Sequence, residues 1–212
     1  MAALERATVD ARSMPGNLLP HETLDDLTGA ARGIVAEVER LPEAPYDLFA
    51  PVDHPIDDTV VGLLVGRRLG LDGDDLLQLG LGLFLKDIGK LALPPAIVEK
   101  AGPLDDAECE LLRRHPQRGL ELLRDEDIGR EALKAIRYHH ERWDGAGYPS
   151  GLAGERIPLS ARIAALAEEF VTTSRVDALR AGAGSAFDPE LVEVFEDVAM
   201  ARSPGLRAAA VA

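Results

Sequence analysis

The sequence predicts an all-α protein. Phe, Tyr and Trp supply only 4% of its residues. Alternation of β-branched with polar residues is scarce. Ala, Leu, Glu and Arg fill stretches whose apolar positions recur every three or four residues, the period of a half-buried helix. A chain of 212 residues, 46% hydrophobic and 28% charged, fits one globular domain with extra segments at its ends.

Residues 1–20 carry Pro15 and Pro20 with little periodicity and read as a loose arm. Residues 22–40 read as a helix, with Leu24, Leu27, Ile34, Val35 and Val38 on one side. From Leu41 to Pro55 four prolines, at 42, 45, 51 and 55, make a connector. The expected division is an N-terminal arm and helix at 1–50, a main domain at 51–200 and a tail at 201–212. From Ile56 helices follow closely. Val60, Val61, Leu64 and Leu69 form one stripe, and Asp74 to Leu85 form a second helix with glycines for close packing. Asp105 with Glu108 makes a capping box for a helix carrying Leu111, Leu112 and His115, which Pro116 bends or ends. Leu133, Ile136 and His140 share a face at i, i+3 and i+7. Residues 143–158 hold four glycines and two prolines and predict an irregular loop. Asp144 and Arg162 are expected to pair across its base, with Trp143 buried beneath. Helices from Leu159 to about Ser174 and from Asp188-Pro189 onward complete the chain. No repeat of 20–50 residues is present.

Lys plus Arg total 23 and Asp plus Glu total 37, a formal charge of −14. Such a chain repels polyanions, which disfavours a nucleic-acid polymer or an anionic membrane surface as partner. One small anion remains acceptable where a metal ion or a lysine reverses the local sign. A single cysteine, Cys109, rules out intrachain disulfides and a thiolate zinc site. No run approaches the ~18 apolar residues of a membrane span. The first residues lack a signal core, so a cytoplasmic location is expected.

Four of the five histidines, His54, His115, His139 and His140, fall at suggestive places. Neighbouring helical residues diverge by about 100°, so His139 and His140 serve one site only in a groove beside a helix end. The glycine-rich loop after them allows that. In Lys86-Asp87-Ile88-Gly89-Lys90, the Asp87 carboxylate and Lys90 ammonium share a face at i, i+3. Alone this reads as a surface ion pair. Between His54 and His115 it reads as part of a carboxylate–imidazole centre suited to Mn or Fe.

The string HHERWDGAGYPSGLAGERIPLSARI resembles the signature of the HD-GYP family, a branch of the HD metal phosphohydrolases. The resemblance runs from about His54 to Val198, through Gly102-Pro103-Leu104 and the FDPELVEVF segment. It implies an HD-type helical bundle with a glycine-rich Gly-Tyr-Pro loop, binding divalent transition metals, Fe or Mn, and hydrolysing cyclic di-GMP. By that resemblance Asp87, His115, His139 and His140 hold one metal. A second is expected at His54, the shared Asp87 and Glu168. The family's paired histidine is here Lys86, and its late aspartates are here Glu168 and Val171. Arg175 stands near the place of a family arginine.

A protonated lysine has no lone pair for a metal. One metal position is therefore intact and the second doubtful. Asp87 and Lys90 are the candidate catalytic residues, Lys90 clamping the scissile phosphate. Lys90, Gly147, Tyr148 and Pro149 are the candidate substrate-binding residues. Two functions follow. One is a metal-dependent phosphodiesterase acting on cyclic di-GMP or a related cyclic dinucleotide, weakened by Lys86. The other is a catalytically degenerate module that binds the nucleotide, or a protein partner at the Gly-Tyr-Pro loop.

Overall fold

The computed structural model describes residues 21–40 and 58–200. His54 and the proline-rich connector lie outside them. Ten α-helices occur among the described residues: α1 His21–Arg40, α2 Asp58–Arg68, α3 Gly73–Leu85, α4 Pro95–Val98, α5 Asp106–Leu112, α6 His115–Leu122, α7 Arg130–Tyr138, α8 Leu159–Thr173, α9 Val176–Gly182 and α10 Pro189–Met200. Two short 3-10 segments, Ile88–Ala92 and Gly154–Arg156, complete the regular structure. No strand forms among these residues, and the one β-bridge, Ala183 to Phe187, is isolated. The all-α expectation holds.

The main core lies where α2, α3, α8 and α10 meet. Val61, Leu63, Val65, Leu79, Leu83, Ile163, Leu166, Phe170 and Phe195 are buried there. Burying each such side chain contributes roughly 1.5–3 kcal/mol. Helix α1 closes one side through Val35 and Val38. A second cluster, Leu27, Leu85, Ile88, Leu122, Leu123 and Ile136, lies between α1, α3, α6 and α7. The glycines of α3 allow this approach. A Cβ on Gly82 would stand 2.6 Å from the Ala135 Cβ on α7.

The second cluster supports the polar site. Helix α3 is buried on most of its circumference and ends by delivering Lys86 and Asp87 into the interior. The Ile88–Ala92 segment then packs against α6. Gly89 makes that contact possible, since a Cβ there would lie 1.9 Å from the His115 carbonyl oxygen and 2.4 Å from Gly119 N. Asp87 and His115 are thus held together by backbone contact.

One boundary differs from expectation. The helix begun at Asp105 ends at Leu112, and His115 opens α6 with Pro116 in its first turn. Pro116 lacks an N–H that a first turn leaves unpaired anyway, so it starts a helix here instead of ending one. The Asp105–Glu108 capping box forms with both hydrogen bonds. Helices α4 and α9 are short and lack a periodic signature of their own.

Candidate metal centre

Asp87, His115, His139 and His140 converge. One donor atom from each lies within 4.8 Å of the others. Asp87 comes from the end of α3, His115 from the first turn of α6, and the histidine pair from the end of α7. His139 caps α7, and His140 sits in the turn beyond it. The chain has left the helix there, so both imidazoles turn to one point, their centroids 4.1 Å apart. A groove beside a helix end is where the sequence required them to meet.

The tautomers are set by the backbone. His115 Nδ1 donates to the Leu112 carbonyl at 2.9 Å, and His139 Nδ1 donates to the Ile136 carbonyl at 2.9 Å. A carbonyl only accepts, so both protons sit on Nδ1. Burial disfavours the imidazolium form at each ring and lowers its pKa, with the charge of His140 adding to the effect at His139. Burial, then the neighbouring His115, pushes His140 down to about 3. Both Nε2 atoms therefore carry lone pairs, and they face each other at 3.1 Å. Asp87 Oδ1 stands 3.4 Å from His115 Nε2 and 3.9 Å from His139 Nε2. This buried oxygen accepts no well-formed hydrogen bond, although Lys90 Nζ lies 2.8 Å away. Facing lone pairs beside a carboxylate oxygen fit a divalent cation. Ligand bonds of about 2.0–2.2 Å place adjacent donors about 3.0–3.4 Å apart and opposed donors about 4.2 Å apart, and the separations here, 3.1 to 3.9 Å, fall within that span. The imidazole–carbonyl bonds are the outer contacts that orient metal-bound histidines.

Lys86 is buried on the other side of Asp87. Its Nζ lies 2.6 Å from Asp87 Oδ2, 3.0 Å from Asp58 Oδ2 and 3.3 Å from Glu168 Oε2. Burial opposes its charge, but Asp87, Glu168 and Asp58 outweigh that and its pKa is raised. Burial likewise opposes the Asp87 carboxylate, but the Lys86 and Lys90 ammonium groups hold its pKa well below the usual range. Asp58 was not singled out from the sequence. An acidic residue opening a helix is ordinary, and only the fold brings it to Lys86.

The Gly-Tyr-Pro loop closes over His140. The Tyr148 ring stacks on His140 with centroids 4.8 Å apart, and the Arg113 guanidinium lies 5.5 Å from the Tyr148 ring centre. Burial pushes the Tyr148 phenol up, so it remains a neutral donor. Gly147 is required by space, since a Cβ there would meet Arg142 N at 2.3 Å. The loop's tether is a residue to which the sequence assigned no role. Buried Glu141 accepts hydrogen bonds from Ser150 N at 2.7 Å and Leu152 N at 3.0 Å. The expected Asp144–Arg162 pair does not form. Asp144 pairs with Arg142 at 2.7 Å, and Arg162 with buried Asp188 at 2.5 Å. Asp188 opens α10, where its other carboxylate oxygen accepts from Glu190 N at 2.9 Å. Trp143 is half-buried, with the Arg162 guanidinium 5.8 Å from its ring centre. Arg175 forms an exposed pair with Asp177.

The HD-domain family pattern matches residues 58–191. The chain is 44% identical over 110 residues to the cyclic di-GMP phosphodiesterase response regulator RpfG of Xanthomonas campestris, covering 50% of this chain and 29% of that protein. It is 36% identical over 155 residues to the cyclic di-GMP phosphodiesterase PA4108 of Pseudomonas aeruginosa, covering 67% of this chain and 37% of that protein. It thus spans well under half the length of these relatives. A crystal structure of a cyclic GMP-AMP specific phosphodiesterase of Vibrio cholerae superposes with TM-score 0.55 at 20% identity, covering 87% of this chain and 53% of that one, which supports the fold. The helical architecture, the clustered Asp and His side chains and the Gly-Tyr-Pro loop carry the same assignment as these likenesses: the chain belongs to the HD-domain family, in its HD-GYP branch.

Proposed function

We propose that this chain is a metal-dependent phosphodiesterase of cyclic dinucleotides, with cyclic di-GMP as substrate. The observation that carries the reading is the pair of imidazole lone pairs facing Asp87 Oδ1. Asp87, His115, His139 and His140 would hold the ion, Fe or Mn by their mixed nitrogen and oxygen donors. A divalent cation there supplies Lewis acidity for activating water and for stabilising the phosphoryl oxygens. Lys90 is half-buried, so its ammonium can leave Asp87 to meet the scissile phosphate and offset charge developing on it. Tyr148, stacked on His140, keeps that ring turned inward and offers its hydroxyl at the pocket wall. Gly147 and Pro149 shape the turn that places it.

A second reading is favoured by Lys86, whose ammonium contacts the same carboxylate at 2.6 Å. An ammonium attracts phosphate but lacks Lewis acidity, so the site would bind the nucleotide and hydrolyse it slowly or not at all. Turnover with added Mn²⁺ or Fe²⁺ separates the two. Cleavage of cyclic di-GMP to linear product, reduced at least a hundredfold by Asp87→Asn and by His139→Ala, supports the enzyme. Tight binding without metal-stimulated cleavage supports the binding module.

A further inference from the structure

We propose that the Lys86 ammonium is itself the second cation of this centre, permanently installed and held by Asp58, Asp87 and Glu168. The inference rests on the metal-site reading above and concerns what stands beside that ion. Three carboxylates from three separate elements, the first turn of α2, the end of α3 and α8, converge on one buried nitrogen. Such convergence is strongly unfavourable without a cation among them. An ammonium has three protons to give, and three carboxylate oxygens surround this one. Asp87 makes the arrangement a two-cation centre. Its Oδ1 faces the imidazoles and its Oδ2 faces Lys86. One carboxylate thus bridges a metal position and an ammonium position.

The charges agree. Asp58, Asp87 and Glu168 against Lys86 and Lys90 leave one net negative charge among these groups. A single divalent ion turns that to one net positive charge, enough to draw a phosphate. A second divalent ion has no vacancy to enter while Lys86 remains. Without the lysine, the three carboxylates form an all-oxygen set suited to Mn²⁺ or Mg²⁺. Lys86 is therefore a positioning residue. It fixes Asp87 and limits the centre to one ion.

The test is manganese content by elemental analysis after equilibration with Mn²⁺ and desalting. The wild-type chain should hold one ion, and Lys86→Ala should hold two. Because both ions of the variant share Asp87, its electron paramagnetic resonance spectrum should be that of a coupled Mn²⁺ pair. Two ions in the wild type, or a folded Lys86→Ala that holds no more ions than the wild type, would overturn the proposal. Should Lys86→Ala fail to fold, Asp58→Asn and Glu168→Gln in the wild-type background decide it. Each should keep one ion, with Mn²⁺ affinity changed less than about threefold. Loss of the ion in either would make that carboxylate a metal ligand and refute the assignment. A wild type holding no ion, beside a Lys86→Ala that gains one, would sink the phosphodiesterase reading and leave this one standing.

Discussion

At the scale of single residues, the site is decided by how protons are placed. His115 and His139 each give Nδ1–H to a carbonyl of the turn before them, and what remains at Nε2 is a lone pair aimed inward. His139 and His140 were legible from the long signature string they open, and Asp87 and His115 from the family resemblance that the string carries. Asp58 and Glu141 were not, because their roles depend on partners 28 and 9 to 11 positions away. The imidazoles make a pH prediction for the metal-free protein. His140 has a folded pKa of about 3 against an ordinary value of 6.5. Between those values the unfolded chain takes up a proton that the folded chain refuses. This contribution is complete above pH 6.5 and is lost as pH falls towards 3. Thermal melts from pH 7 to 4 should therefore show Tm falling more steeply for the wild type than for His140→Gln. Equal slopes would mean that His140 is not buried as a neutral ring.

At the scale of elements, periodic helices were legible and short ones were not. The positions 27, 35 and 38 on α1 bury against the domain as their spacing predicts. Helices α4 and α9 have too few turns to show a period, and the packing of their neighbours decides them. The beginning of α6 is not legible from Pro116, because proline is compatible with a first turn as well as with a helix end. The irregularity of the loop at 143–158 is legible from its glycines and prolines, but its fastening is not. Glu141 provides it from inside the signature string. Glu141→Ala would leave two loop N–H groups without their acceptor, at about 1–3 kcal/mol each if they stay buried. The loop should then loosen over His140. Cyclic di-GMP affinity should fall about tenfold or more while Mn²⁺ content stays at the wild-type level, measured by calorimetry and elemental analysis. Loss of the metal with the affinity would make Glu141 a support of the metal centre itself. Unchanged affinity would detach the loop from substrate binding.

At the scale of the molecule, a chain of formal charge −14 presents an inward site whose local sign depends on a cation. That contrast suits a small anionic substrate and disfavours a polyanion. No helix among the described residues is long and apolar enough to cross a membrane. The all-α bundle was legible from composition and period, and its HD-type arrangement from the signature string. The convergence of α2, α3 and α8 on Lys86 belongs to tertiary structure alone. The central claim is that one divalent ion sits among Asp87, His115, His139 and His140, with Lys86 in place of a second. Anomalous diffraction from crystals of the Mn²⁺-loaded protein tests it most directly. The account predicts one strong peak within about 2.3 Å of Asp87 Oδ1 and the three imidazoles, with the Lys86 ammonium intact on its far side. A second peak between Asp58 and Glu168, or no peak at the histidines, would contradict it.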